Sequence, residues 1–488
     1  METLQRTANR GSVSTGGYDI ERSVKLQRTS EYFIKDTTQG DQQKWTFSTW
    51  VKRSNLSNST DEYMNIWSAG KATSNYCHIY FRGDSSYPTN RIFIYLDNGG
   101  TQFFLGATSR SFRDTASWYH ILLATDTTQG TDSNRNKFYV NGVQETLVGV
   151  SGAAAGFSTQ NASTRVNDNG GRMSVGNLDS TTHSFNGYMA ETILLDGTQA
   201  SPTSFGKFDD NGTWVPIDPS GLTFGSKGFW LEYKTLNNMG ADSSGGSNGF
   251  SVQNINQGDS ATDSPTNNFS ILNALHYYSG VYTSPMQGGT EIEIQSAAWK
   301  TFVSTIAVSS GKWYVEFEAG TATTFCGVSD VNEVTGVQQN QNYLGNWDKS
   351  IGFYGISGLL FIDGATSTWS GLAYGDGDKI GIALDKDNGY VYMSKNGVYA
   401  NSGNPTSGSS GTGGVALTTG NAAYQASDQY VIGMSVQPAN ATTYANYGGF
   451  TTMSISSAAS DGNGYGNFEY APPSGYFALC TKNLAEYG

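Results

Sequence analysis

Two pairs of glutamates stand at a spacing that carboxylate chemistry can use: Glu291 and Glu293 in Glu291-Ile292-Glu293-Ile294, and Glu316 and Glu318 in Tyr314-Val315-Glu316-Phe317-Glu318. On a strand, residues two apart share a face at about 6.5–7 Å. Hydrolysis of a glycosidic bond needs two carboxyl groups, about 5–5.5 Å apart for retention and wider for inversion. The same alternation is what any half-exposed strand shows, and a Glu-x-Asp-x-Glu carboxylate run is absent. His78, His120, His183 and His276 are scattered. Only Cys77 adjoins a histidine, and neighbours on a strand point to opposite faces, which does not suit joint chelation of zinc. Scattered serines, histidines and aspartates could supply a triad, but no Gly-x-Ser-x-Gly elbow is expected. The expectation is a protein that is not an enzyme.

A second constellation could bind without reacting. Between Val337 and Trp369 lie Asn340, Gln341, Asn342, Tyr343, Asn346, Trp347 and Trp369. Amides can hydrogen-bond sugar hydroxyls while aromatic rings stack on the apolar faces of the sugar. The competing reading is that Tyr343 and Trp347 pin a loop to a sheet while the amides satisfy turns. Tyr76, Tyr80, Tyr87 and Tyr354 are further aromatic candidates.

Such residues need a scaffold, and the composition names its class. The 488 residues include 61 Gly, 29 Tyr and 24 Phe but 10 Pro, which suits short strands and tight turns. That length exceeds one ordinary core. A formal charge of -13, from 28 Lys+Arg against 41 Asp+Glu, provides no footprint for nucleic acid and is repelled by anionic membranes. No run of about 18 apolar residues could span a bilayer, and the opening Met1–Arg6 has no basic-then-apolar leader. Cys77, Cys326 and Cys480 are odd in number and far apart, so reduced thiols are expected.

Strand signals run from Lys44-Trp45-Thr46-Phe47-Ser48-Thr49-Trp50-Val51 through Arg91–Leu96, Trp118–Ala124 and Lys137–Val143. They resume at Lys312–Glu318, Lys379–Asp385 and Tyr390–Val398. The halves echo one another. In each, a strand ending in aspartate (Asp126, Asp385) leads through a polar turn to an aromatic strand closing on Asn-Gly-Val (Asn141–Val143, Asn396–Val398), where Asn-Gly supplies a tight hairpin turn. The predicted fold is all-β, two consecutive antiparallel β-sandwiches. The predicted divisions are an N-terminal docking arm at 1–20, a first domain at 21–235, a polar linker at 236–265, a second domain at 266–455 and a closing segment at 456–488.

The first domain resembles laminin-G-like, concanavalin-type jelly rolls of bacteriophage virion proteins. The resemblance rests on Trp45–Arg53, Phe112–Ile121, Lys137–Val143, Phe185–Glu191 and Ser201–Gly206, with Thr7–Ser12 ahead of them. The second resembles SPRY domains through Ile306–Phe317, Gly377–Asp385 and the Asn396-Gly397-Val398 turn, and the closing Pro472–Leu484 is similar to phage proteins built this way. The resemblance implies a tail-fibre-like virion protein, made in the host cytoplasm and attaching to a host surface glycan. A capsid decoration or fibre protein, and a polysaccharide depolymerase, are the alternatives. It implies docking on other virion proteins through the N-terminal arm, and a homo-oligomer, trimer first, by the symmetry of particles. It implies no cofactor except calcium, with Asp84, Asp97 and Asp126 as ligands; the competing reading is that these aspartates cap turns.

Overall fold

The computed structural model describes residues 17–488 apart from 28–30, 57–62, 72–73, 83–89, 98–100, 151–152, 179–182, 276–284, 294–298, 338–342, 368–370, 419–427 and 438–440. The chain divides into two compact units, one within Ser14–Thr266 and one within Asn267–Gly488.

The first unit opens with β1 (Ser23–Leu26), β2 (Tyr32–Asp36), β3 (Lys44–Arg53), β4 (Tyr63–Lys71), β5 (Ser74–Arg82) and β6 (Arg91–Asp97). Next come β7 (Gln102–Thr108), β8 (Trp118–Asp126), β9 (Asn136–Val140), β10 (Val143–Gln144), β11 (Leu147–Val148) and β12 (Arg172–Val175). The last are β13 (Gly187–Asp196), β14 (Gly206–Phe208), β15 (Trp214–Pro216), β16 (Phe229–Leu231), β17 (Ser251–Gln253) and β18 (Ser260–Ala261). One antiparallel sheet has the order β10-β9-β8-β3-β13-β1-β18, with β16 also on β13; the other runs β11-β7-β6-β5-β4-β12-β2-β17. The core lies between them. Trp45, Phe47 and Val51 of β3 enter it with Trp67 of β4, and the Phe47 and Trp67 rings stack at 4.7 Å. Removing a ring so enclosed costs about 3–5 kcal/mol.

The alternation in β3 leads one to expect a half-buried strand, yet both its faces are covered. On the outer face of its sheet, Leu122, Ala124, Ile193 and Leu195 pack against Phe205, Phe224 and Trp230 from the segment that carries the β14–β15 hairpin.

The expected polar linker, 236–265, is part of the first unit. β17 pairs β2 and β18 pairs β1, and Met239 and Phe250 enter the core. Few apolar side chains suffice because carboxylates order the rest. Asp263 accepts from Lys52 Nζ at 2.6 Å and from Trp118 Nε1 at 3.0 Å, and Asp242 accepts from the N–H groups of Trp230, Ser244 and Asn248. The arm expected over 1–20 does not extend to Ile20, which is buried and donates its N–H to Thr266 Oγ1 at 3.0 Å. Residues 1–16 lie outside the described residues.

The second unit contains β19 (Glu291–Glu293), β20 (Lys300–Val303), β21 (Lys312–Glu318), β22 (Thr324–Asp330), α1 (Val331–Val337), β23 (Ser350–Tyr354), β24 (Leu360–Ile362) and β25 (Ala365–Ser367). It continues with β26 (Lys379–Asp385), β27 (Tyr390–Lys395), β28 (Val398–Tyr399), β29 (Val415–Ala416), β30 (Tyr430–Val436), β31 (Thr442–Asn446), β32 (Phe477–Ala478) and α2 (Thr481–Tyr487). Its sheets run β19-β31-β21-β26-β27-β28 and β20-β30-β22-β23-β24-β25, with β29 on β27 and β32 parallel to β21. A core including Trp313, Phe317, Val328, Ile382 and Ile432 fills the space between. The molecule is thus all-β, built of antiparallel sandwiches.

Candidate functional site

The β8–β9–β10 meander of the first unit turns at Asn141 and Gly142, with φ of 50° and 75°. Gly142 is required there for a second reason: a Cβ would fall 2.4 Å from the Trp214 ring. Gly206 makes the same allowance on the other side, at 2.5 Å. Seated between two glycines, Trp214 reaches His120, and its Nε1–H donates to His120 Nδ1 at 3.2 Å. Indole nitrogen can only donate. Nδ1 is therefore bare, and Nε2 of the neutral ring carries the proton, which it gives to Ser48 Oγ at 2.8 Å. Burial holds His120 neutral, pushing its pKa down to about 3.

Ser48 and Trp50 lie two apart on β3, so they share its outer face. Trp50 pairs with His120 across the β3–β8 ladder, and their rings meet at 4.9 Å. On the other side of β3, β13 breaks register: Ala190 faces Trp50 and Ile193 faces Ser48, so Glu191 and Thr192 both oppose Thr49. This β-bulge places Glu191 at φ 47°, in the left-handed region that a side-chain-bearing residue rarely adopts. It turns Glu191 to the outer face and Thr192 to the core, where Thr192 meets Thr49 and Tyr233. Glu191 Oε1 accepts from the Tyr18 hydroxyl at 2.8 Å, and Oε2 accepts from Trp230 Nε1. Burial outweighs these bonds and pushes the carboxyl up to about 7.

Ser48, Trp50, His120 and Glu191 line one pocket with Tyr18, Ile193, Phe205, Pro216, Ile217 and Pro219. Its polar end is buried: Ser48, His120 and Glu191 are 2%, 1% and 5% exposed. Tyr18 and Ile217, at the mouth, are half-buried. The cavity volume is about 10 Å3, room for one water-sized group.

In this arrangement Ser48 and His120 do not form a nucleophile and its base. A serine nucleophile needs a histidine whose nitrogen accepts its proton, and here that nitrogen already carries one. The residues Gly245-Gly246-Ser247-Asn248-Gly249 have Gly-x-Ser-x-Gly spacing, and Ser247 has φ 56°. They form a loop organised by Asp242, with no helix following, so the strand-turn-helix setting of a nucleophile elbow is missing.

The residues singled out from sequence are placed differently. Trp347, expected to stack on a ligand, is 8% exposed, and its Nε1–H donates to Ser329 Oγ at 2.8 Å. Tyr343 lies on Phe325, centroids 4.3 Å apart and planes at 9°, with Phe361 edge-on to it. Asn346 donates its N–H to Tyr343 O at 3.0 Å, closing the turn. These are the contacts of the pinning reading. Asn342, Trp369, Asn340, Gln341, Tyr87, His276 and Asp84 lie outside the described residues. Tyr80 is buried, stacked between His78 and Phe93.

Two of the three aspartates expected as calcium ligands are engaged by other partners. Asp97 is fully buried and paired with Arg165 Nε at 3.1 Å. Asp126, from the opposite sheet, accepts from Thr128 N–H, Thr128 Oγ1 and Gln129 Nε2, which is turn capping. Among the described residues no three His, Cys, Asp or Glu side chains group as a metal site.

Glu316, the candidate acid in the second unit, is fully buried. It accepts from the N–H groups of Glu469 and Tyr470, each at 2.8 Å, and from the Tyr314 hydroxyl at 3.0 Å. Glu318 pairs with Lys379 at 3.0 Å. Both carboxylates clamp structure.

Residues 27–198 match the concanavalin A-like lectin/glucanases superfamily. The match covers most of the first unit, including β3, β8 and the bulge of β13. No curated protein matches the chain. Among solved structures, the SPRY domain of human HERC1 is similar at 14% identity over 34% of this chain and 96% of its own, TM-score 0.23. The heptameric SAP-like pentraxin of Limulus polyphemus is similar at 15% identity over 38% and 80%, TM-score 0.26. Domain 4 of AbnA, a GH43 extracellular arabinanase from Geobacillus stearothermophilus, solved with arabinotriose, is similar at 18% identity over 36% and 72%, TM-score 0.26.

Local sequence holds a single signal for this pocket. The one available was the lone charge of Glu191 within the otherwise uncharged Tyr188–Leu195 run.

Proposed function

We propose that the chain is a non-enzymatic glycan-binding structural protein of a bacteriophage particle, tail-fibre-like, whose first unit holds the sugar. The observation that carries this reading is the coincidence of the lectin/glucanase match over 27–198 with a pocket combining aromatic walls, a serine hydroxyl and a carboxyl group. The absence of catalysis is supported by the protonated Nε2 of His120 and by the structural bonds of Glu316. The particle location draws support from the sequence resemblance of Thr7–Ser12 and Pro472–Leu484 to phage proteins.

Gold-labelled antibody against this chain, viewed on intact particles by cryo-electron microscopy, tests the location. Label at the tail tip, with purified protein blocking adsorption to host cells, is the expected result. Label on the capsid surface would move the protein to a decoration role, and no label on any particle would remove the virion reading.

A further inference from the structure

We infer that the Ser48–His120–Glu191 pocket is a subsite for the hydroxymethyl arm of a neutral hexose, with the sugar ring held outside against Tyr18 and Ile217. The inference rests on the glycan reading above and adds the class of sugar to it.

Size decides what enters. A cavity of about 10 Å3 accepts a hydroxyl-sized group and is far too small for a pyranose ring. Only an arm projecting from a ring can reach the polar end while the ring stays at the mouth. Polarity decides which arm. Ser48 Oγ accepts from His120, so its own proton is available to donate. Glu191 oxygens each receive one bond, from Tyr18 and from Trp230, leaving lone pairs for a hydroxyl proton. A primary alcohol both accepts and donates, and it matches this pair.

Charge decides what is refused. Among the described residues lining the pocket there is no lysine or arginine, so a uronate would bring its carboxylate against Glu191 without a counter-charge. A pentopyranose has no arm at this carbon and would leave buried Ser48 and Glu191 without the added partner. With its carboxyl raised to about 7, Glu191 suits a neutral ligand near neutral pH. The mouth suits a ring: the half-buried Ile217 and Tyr18 side chains offer apolar surface to its C–H face.

The test measures binding of the whole chain to immobilised gluco-, galacto- and manno-oligosaccharides, xylo-oligosaccharides and oligogalacturonate. Binding to at least one hexose series, at least about tenfold tighter than to the pentose and uronate series, is expected. Ser48→Ala and Glu191→Gln should each weaken it about tenfold. Ile217→Trp, which crowds the half-exposed mouth without touching the buried groups, should do the same with an unchanged melting temperature. Equal binding of pentose or uronate, or hexose binding untouched in the folded variants, would overturn the subsite while leaving the glycan reading standing. No binding to any series would overturn both.

Discussion

His120 Nε2 lies 2.8 Å from Ser48 Oγ, and the proton between them belongs to the histidine because Trp214 occupies Nδ1 as a donor. A serine so placed receives a hydrogen bond and is not activated. A fluorophosphonate probe should therefore leave Ser48 unlabelled. Ser48→Ala should destabilise the protein by about 1–3 kcal/mol in urea unfolding, since it strands a buried N–H. Labelling at Ser48 would contradict the assigned tautomer.

Glu191 makes stability depend on pH in a definite direction. Its ordinary pKa is 4.5, and burial raises it to about 7 against the hydrogen bonds of Tyr18 and Trp230, with Glu232 adding to the rise and Lys234 opposing it. The folded state binds the proton more tightly than the unfolded one. The resulting stability is fully present below about pH 4.5 and is lost as pH rises through 7, on the order of 3 kcal/mol in all. Thermal melts from pH 5 to pH 8 should show the decline. Glu191→Gln should flatten it, and a decline of equal size in that variant would assign it elsewhere.

The Glu316 clamp gives a different test. Glu316→Ala removes the acceptor of two backbone N–H groups and a tyrosine hydroxyl, so a loss of about 2–4 kcal/mol is expected, with faster proteolytic cutting near Glu469. Glu318→Gln touches one partly exposed ion pair and should cost under about 1 kcal/mol. Host capsular polysaccharide incubated with the intact chain should release no reducing ends; release abolished by Glu316→Gln would restore the depolymerase alternative.

Trp347→Ala should lower stability by about 3–5 kcal/mol, because the indole is enclosed and anchored to Ser329. Tyr343→Ala should act in the same direction. Neither should change glycan binding by protein that remains folded. Weaker binding with unchanged melting would return this loop to candidacy.

The repeated meander was legible because its signals are local. Asn141 and Asn396 both take left-handed φ, at 50° and 48°, and each is followed by a left-handed glycine. In each, the side chain accepts from the strand opposite: Asn141 from His120 N–H and Asn396 from Lys379 N–H, both at 2.8 Å. The pocket was not legible, because it is made by non-local events. A bulge in β13 re-aims Glu191, and the hairpin that carries Trp214 folds back over the sheet from some ninety residues beyond His120. The 236–265 segment misled because apolar content was the criterion. Its order comes from Asp242, which ties the loop at Ser244 and Asn248 to Trp230, and from Asp263, whose partners Lys52 and Trp118 lie far away in the sequence. Tyr343 and Trp347 were correctly seen as aromatic in a polar loop, but composition does not tell a ring's exposed face from one spent on Phe325 or Ser329.

The central claim is that the first unit holds a glycan through its pocket, and a glycan microarray probed with the fluorescently labelled whole chain tests it most directly. The account predicts signal concentrated on glycans presenting neutral hexoses, lost together in Ser48→Ala and Glu191→Gln. No signal on any glycan, or signal that survives both substitutions in folded protein, would contradict it.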